Sequence, residues 1–282
     1  MNRRFLIVAA AAGFAPRIAW GDEAPPVAPL DLSQGQPRVA LSINHVEQGV
    51  AIFDTGASAS VINRQLAETL SLPNKGSVGA RSGAGGDTIE GFLTSISGAA
   101  IGAIPIPTEA QWAALPQARP NIVAVVSANA FAGSFVRLDF PRAHLQVLPK
   151  TSANTPAAPP TAYDSGPRPL PSIQLSLPGG VSMLAHLDTG SPAGITLPYE
   201  MATSLPLAAP AVEAGRARLV NGERTIYRGT LNGSAQVGPL ALSNPTLMFM
   251  EGLPHGNVGM ELLRQLVVTL DPAERRLWIS LP

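Results

Sequence analysis

The sequence predicts an all-β protein of two similar lobes, on three observations. The composition is 45 % hydrophobic but only 13 % charged, with 27 glycines and 28 prolines among 282 residues, a balance that favours short strands and frequent turns over long charged helices. A short alternating strand with Val39, Leu41 and Ile43 on one face is matched 134 positions later by Ile173, Leu175 and Leu177. At that same offset Asp54-Thr55-Gly56 is matched by Asp188-Thr189-Gly190, each preceded by an apolar strand and followed by an apolar pair or its remnant. Such register divides the chain into two copies of one unit, each of roughly a hundred residues and able to bury its own core.

Residues 1–21 read as an export signal. Arg3 and Arg4 form a basic start, Phe5 to Ala15 an apolar run, and Ala19-Trp20-Gly21 small residues for cleavage. The run is short for a membrane span, and the expected location is the periplasm or the exterior. Residues 22–36 follow as an extended, weakly packed spacer carrying Pro25, Pro26 and Pro29.

The first lobe is assigned to residues 37–148. Its opening strand turns back near Gln48-Gly49 into Val50 to Phe53, so Asp54 stands where a strand leaves the sheet. Gly56 suits a sharp turn there. Asn63 to Leu70 reads as a short helix ending before Pro73. Arg81 to Thr88, with Gly83, Gly85 and Gly86, reads as a hairpin tip; a phosphate cradle would need a following Gly-Lys-Ser/Thr, which is absent. The lobe closes on Phe131 to Phe140, which aligns without a gap to Leu263 to Pro272.

Residues 149–171 hold seven prolines among 23 positions and read as an extended linker. The second lobe, residues 172–282, repeats the plan: strand Ile173 to Leu177, a turn at Pro178-Gly179-Gly180, and the Asp188 loop. Asn221-Gly222 is a tight-turn signal that makes a second hairpin tip, matching the first. Each hairpin is a candidate flap over a cleft between the lobes.

Taken together, these residues resemble the two-lobed aspartic proteases of the pepsin and retropepsin superfamily, over essentially all of residues 37–282. Asp54-Thr55-Gly56-Ala57-Ser58 is similar to the retropepsin form of the motif and Asp188-Thr189-Gly190-Ser191 to the pepsin form. In such families an apolar-apolar-glycine loop supports each catalytic loop. Val125-Val126-Ser127 and Asn257-Val258-Gly259 stand at those places, with Ser127 for the glycine and Asn257 for the first apolar residue.

The resemblance implies two β-barrel-like lobes with a cleft between them, Asp54 and Asp188 as a catalytic dyad, and a peptide or protein substrate. It further implies that Thr55 and Thr189 hydrogen-bond across the lobe interface, and that Gly56 and Gly190 donate backbone N–H groups to the carboxylates. Two carboxylates face to face cannot both ionise cheaply, so they share a proton. One then activates a water while the other acts as acid, with no metal or cofactor required. Ser191 can donate to Asp188 where Ala57 cannot do so for Asp54, which extends the expected activity towards less acidic pH. The other reading, from a different class, is an inactive protease-like protein that binds or scaffolds peptides.

Charge and residue types exclude several alternatives. Loss of residues 1–21 removes Arg3, Arg4 and Arg17, leaving 16 basic against 19 acidic side chains. That argues against nucleic acid, or an anionic membrane after signal removal, as partner. The sequence has no cysteine, so disulfides, thiolate metal sites and a cysteine nucleophile are excluded. His186 lies two residues before Asp188 on the same strand face but in no ligand spacing, and is read as a strand-face residue. Trp112 and Trp278 are read as packing residues. A site completed within one chain needs no second copy, so a monomer is expected.

Overall fold

The computed structural model describes residues 25–82, 85–116, 121–163, 170–219 and 222–282. The expected signal at 1–21, Gly83 and Asn221 lie outside the described residues. Among those described, strands dominate, the two α-helices are short, and no helix is long and apolar enough to cross a membrane.

The first half forms one nine-stranded sheet. From edge to edge it runs Ser77–Ser82, Gly85–Thr94, Trp112–Leu115, Ser60–Asn63, Ile122–Ser127, Val46–Asp54, Arg38–Ile43, Ala99–Ile101 and Ile104–Pro105. The second half forms another in matching order: Val212–Leu219, Gly222–Thr230, Thr246–Met250, Ile195–Pro198, Gly256–Val258, Val181–Leu187, Ser172–Leu177, Ser234–Val237 and Leu240–Ser243. Pairing directions match as well: in each half the strand entering the Asp-Thr-Gly loop lies parallel to the strand that supports it, Val46–Asp54 beside Ile122–Ser127 and Val181–Leu187 beside Gly256–Val258.

The alternation that marks these strands in the sequence is the burial pattern. Val39, Leu41 and Ile43 are buried on one face of their strand, as are Ile173, Leu175 and Leu177 on theirs. Trp112 is fully buried and packs in the core; Trp278 is nearly so and meets Phe135 edge-on at 5.7 Å.

A third sheet joins the halves, in the order Val27–Pro29, His144–Leu148, Phe135–Asp139, Val267–Asp271, Arg276–Ser280 and Thr161–Ala162. Its middle is an antiparallel seam in which Val136 faces Leu270 and Leu138 faces Val268. All four side chains are buried, each contributing about 1.5–3 kcal/mol by leaving water. The seam fixes one lobe against the other, and so fixes the two Asp loops.

Segment 25–36 is neither extended throughout nor weakly packed: residues 33–36 form a turn, with Gly35 N–H donating to the Leu32 carbonyl at 3.1 Å. Val27–Pro29 pairs with His144–Leu148, and Ala28 and Leu30 are buried. Hydrophobic alternation cannot show in a three-residue strand, so this edge is not readable from sequence. The linker is likewise anchored: Lys150 Nζ reaches Asp271 at 2.5 Å, Trp278 Nε1 donates to the Ala158 carbonyl at 2.8 Å, and Thr161–Ala162 forms the opposite edge strand.

The helix after the first Asp loop spans Arg64–Thr69, capped by Asn63 Oδ1, which accepts from Leu66 N–H at 3.1 Å. Its counterpart, Tyr199–Thr203, is a 3-10 turn preceded by Pro198, which offers no side-chain cap. The hairpins Ser77–Ser82 with Gly85–Thr94, and Val212–Leu219 with Gly222–Thr230, occupy corresponding edges of the two sheets. Gly85 and Gly86 open the returning strand of the first. Gly222 opens that of the second with φ of 133°, a conformation that favours glycine.

Candidate active site

Each Asp-Thr-Gly loop begins where a buried strand runs out. Phe53 is fully buried and Leu187 nearly so, and the next residue in each case is the aspartate. The loops are held by backbone as well as side chains. Asp188 N–H donates to the Val258 carbonyl at 2.9 Å, and Ser127 lies opposite Asp54 in the parallel pairing.

Thr55 and Thr189 tie the loops together across the interface. Thr55 N–H donates to Thr189 Oγ1 at 3.0 Å, and Thr189 N–H to Thr55 Oγ1 at 3.2 Å. Each hydroxyl then donates onward into the opposite lobe, Thr55 to the Leu187 carbonyl at 2.6 Å and Thr189 to that of Phe53 at 2.7 Å. Both threonines are buried, so each of these bonds satisfies a group that water does not reach.

That clasp brings the carboxyl groups of Asp54 and Asp188 together. A Cβ placed on Gly190 would stand 2.5 Å from Asp54 Oδ2 and 3.0 Å from Asp188 Oδ1. One on Gly56 would stand 2.8 Å from Asp188 Oδ1 and 3.2 Å from Asp54 Oδ1. Both carboxyl groups therefore converge on the same two points, and each glycine is the floor beneath the other lobe's aspartate. Glycine is needed here for space, because no side-chain atom fits. Gly56 N–H also donates to Asp54 Oδ1 at 2.8 Å.

The surroundings of Asp188 pull its ionisation in two directions. Desolvation by the protein packed round it raises its pKa above the usual 3.8. Opposing this are hydrogen bonds from the Asn257 amide and from the Gly190 and Ser191 N–H groups, and the nearby His186. Asn257 Nδ2 stands 2.5 Å from Asp188 Oδ2. His186 packs with its ring 5.0 Å from that of His255, tilted by 50°.

The supporting loops behave differently in the two halves. Gly259 could not carry a side chain, since a Cβ would lie 2.6 Å from the Ser191 carbonyl oxygen. At the matching place Ser127 turns the approach into a bond: its Oγ donates to the Ala57 carbonyl at 2.6 Å and accepts from Asn129 N–H at 3.2 Å. Ser127 thus braces the first loop rather than loosening it.

Two participants carry little or no signal in the sequence. Asn257 shows there only as a departure from an apolar pattern, and a polar residue at the end of a buried strand is the available clue. Gln36, in the segment read as a spacer, is buried, and its side-chain amide donates to the Gly190 carbonyl of the other lobe. No sequence signal marks it. Among the flap candidates, Gly85, Gly86 and Gly222 lie in the described hairpins. Among the described residues there is no group of three or more His, Cys, Asp or Glu arranged to hold a metal ion.

A family model described as "Aspartyl protease" matches residues 39–115 and 173–262, more than half of the chain and both halves of it. No curated protein matches the chain.

Proposed function

Because the chain belongs to the aspartyl protease family, with its all-β fold of two lobes, we propose that it is an endopeptidase whose reaction is carried by Asp54 and Asp188 as one unit. The observation that carries this reading is the convergence of the two carboxyl groups on one point, 2.5 and 3.0 Å from the place of a Gly190 Cβ. Carboxyl groups so close cannot both be charged cheaply, and the pair retains one proton over a wide pH range.

The charged member takes a proton from a water lying between the pair and a bound peptide. The oxygen of that water attacks the peptide carbonyl, the protonated member hydrogen-bonds the oxygen that gains charge, and a proton passes to the departing nitrogen. The chain supplies what this requires: a rigid clasp from Thr55 and Thr189, backbone donors from Gly56, Gly190 and Ser191, and a hairpin from each half as flap. No cofactor enters the reaction.

The matching strand orders support reading the halves as copies of one unit. With one aspartate from each, the site is complete in a single chain, and the protein acts as a monomer. The basic and apolar start of the sequence supports export to the periplasm or exterior with loss of residues 1–21, which N-terminal sequencing of the secreted protein tests. The activity is tested by digesting an unfolded protein with the mature chain between pH 3 and 7 and identifying the new termini by mass spectrometry. Internal cuts support the reading, and a folded chain that binds peptides without cutting them replaces it with a binding module.

A further inference from the structure

The two halves are closely matched in backbone, yet the strand pairs leading to their aspartates differ in chemistry. In the first half Ile52, two residues before Asp54, pairs with Val125. In the second, His186, two residues before Asp188, pairs with Asn257. Ala57, without a hydroxyl, corresponds to Ser191 in the other half. An apolar pair has thus become a polar one on one side alone.

From this asymmetry we propose that Asn257 is a positioning residue that holds Asp188 as the charged member of the pair and leaves the shared proton on Asp54. The inference rests on the endopeptidase reading for its mechanistic meaning, but not for its test. The Asn257 amide has two N–H donors, and the one aimed at Asp188 Oδ2 from 2.5 Å is satisfied fully by an ionised oxygen; a protonated one is itself a donor and competes with it. Gly190 and Ser191 N–H add donors on the same carboxyl, so that its pKa, raised by burial, still lies below that of Asp54. Asp54 keeps its own partners, among them Gly56 N–H, but Val125 at the position of Asn257 has no donor to add.

The groups that bear on this balance are Asp54 across the interface, His186 on the strand of Asp188, and His255, whose ring packs on His186 at 5.0 Å. His186 lowers the pKa of Asp188 and so works in the same direction as Asn257. During hydrolysis the two carboxyl groups then act differently, Asp188 receiving the proton of the water and Asp54 donating to the carbonyl oxygen.

The test is the titration of the two side-chain carboxyl carbons by NMR in protein labelled with 13C-aspartate, each assigned by its Asp→Asn variant. Asp188 is expected to carry most of its shift in the lower-pH step and Asp54 in the upper. Asn257→Val, which copies the residue found at Val125, is expected to move the lower step up by about one pH unit, since a hydrogen bond to a charged group is worth about that much. Val125→Asn is expected to draw the Asp54 carbon towards lower pH. The inference is overturned if Asp188 carries the upper step in the unaltered protein, or if Asn257→Val leaves both curves where they were. Should Asn257→Val fail to fold, the unaltered protein and Val125→Asn decide the matter by themselves. In kinetics the acidic limb of kcat/KM moves up in Asn257→Val with KM little changed, which loss of packing alone does not produce. Absence of peptide hydrolysis at every pH overturns the endopeptidase reading and leaves the carbon titration to stand or fall separately.

Discussion

Ser127 donates a hydrogen bond to the Ala57 carbonyl at 2.6 Å, filling with a side chain the place that its counterpart Gly259 must leave empty beneath the Ser191 carbonyl. One backbone plan has received two local solutions. Gly259→Ala is therefore expected to cost about 3 kcal/mol, because the neighbouring atoms are backbone oxygens that cannot step aside. Ser127→Gly loses two hydrogen bonds, the one to the Ala57 carbonyl and the one from Asn129 N–H, and is expected to cost about 2 kcal/mol. Urea unfolding of the two variants checks the order, and equal costs would show that the loops are supported in the same way.

The Thr55 and Thr189 clasp is expected to behave as one unit. Thr55→Ala orphans the buried Thr189 N–H and the Leu187 carbonyl, at roughly 2–4 kcal/mol. Thr189→Ala does the equivalent from the other side. The double variant, measured by the same urea unfolding, is expected to fall short of the sum of the singles, since both break the same network. Thr→Ser at either place, which keeps the hydroxyl, is expected to retain most of the stability.

Gly190→Ala is expected to separate stability from rate. An added Cβ would stand 2.5 Å from Asp54 Oδ2 and push that carboxyl away from its partner. A displacement of this kind lowers kcat/KM by roughly a hundredfold, measured on a peptide substrate with the fold checked by circular dichroism. Near-normal activity would mean that the carboxyl groups do not need their spacing.

The raised pKa of Asp188 makes a prediction for stability against pH. A carboxyl whose pKa is higher folded than unfolded holds its proton longer in the folded state, so its favourable contribution is full below 3.8 and is lost as pH rises through the folded value. The unaltered protein is therefore expected to lose stability relative to Asp188→Asn on going from pH 3 towards neutrality. Thermal unfolding at both ends of that range checks this, and an unaltered protein that holds or gains stability relative to Asp188→Asn as pH rises would contradict it.

Sequence carries the parts of this design that repeat. Val39, Leu41 and Ile43 alternate because one face of their strand is buried, and recurrence in Ile173, Leu175 and Leu177 makes the second copy visible. The Asp-Thr-Gly loops are legible because strand ends, glycine and threonine recur in one order. What stays hidden are contacts between distant segments. Gln36 meets Gly190 across 154 positions, and no local pattern encodes such a meeting. Val27–Pro29 and Thr161–Ala162 are too short to show a period. Asn257 looks like damage to a motif until its amide is placed against a carboxylate.

If Asp54 and Asp188 form one catalytic unit, kcat/KM of Asp54→Asn, Asp188→Asn and the double variant reveals it. Groups that act together lose nearly everything when either is removed. Each single variant is expected to fall by at least about a thousandfold, the double variant to be no worse, and all three to keep the fold. A folded single variant that retains activity within about tenfold of the unaltered protein would contradict the shared pair.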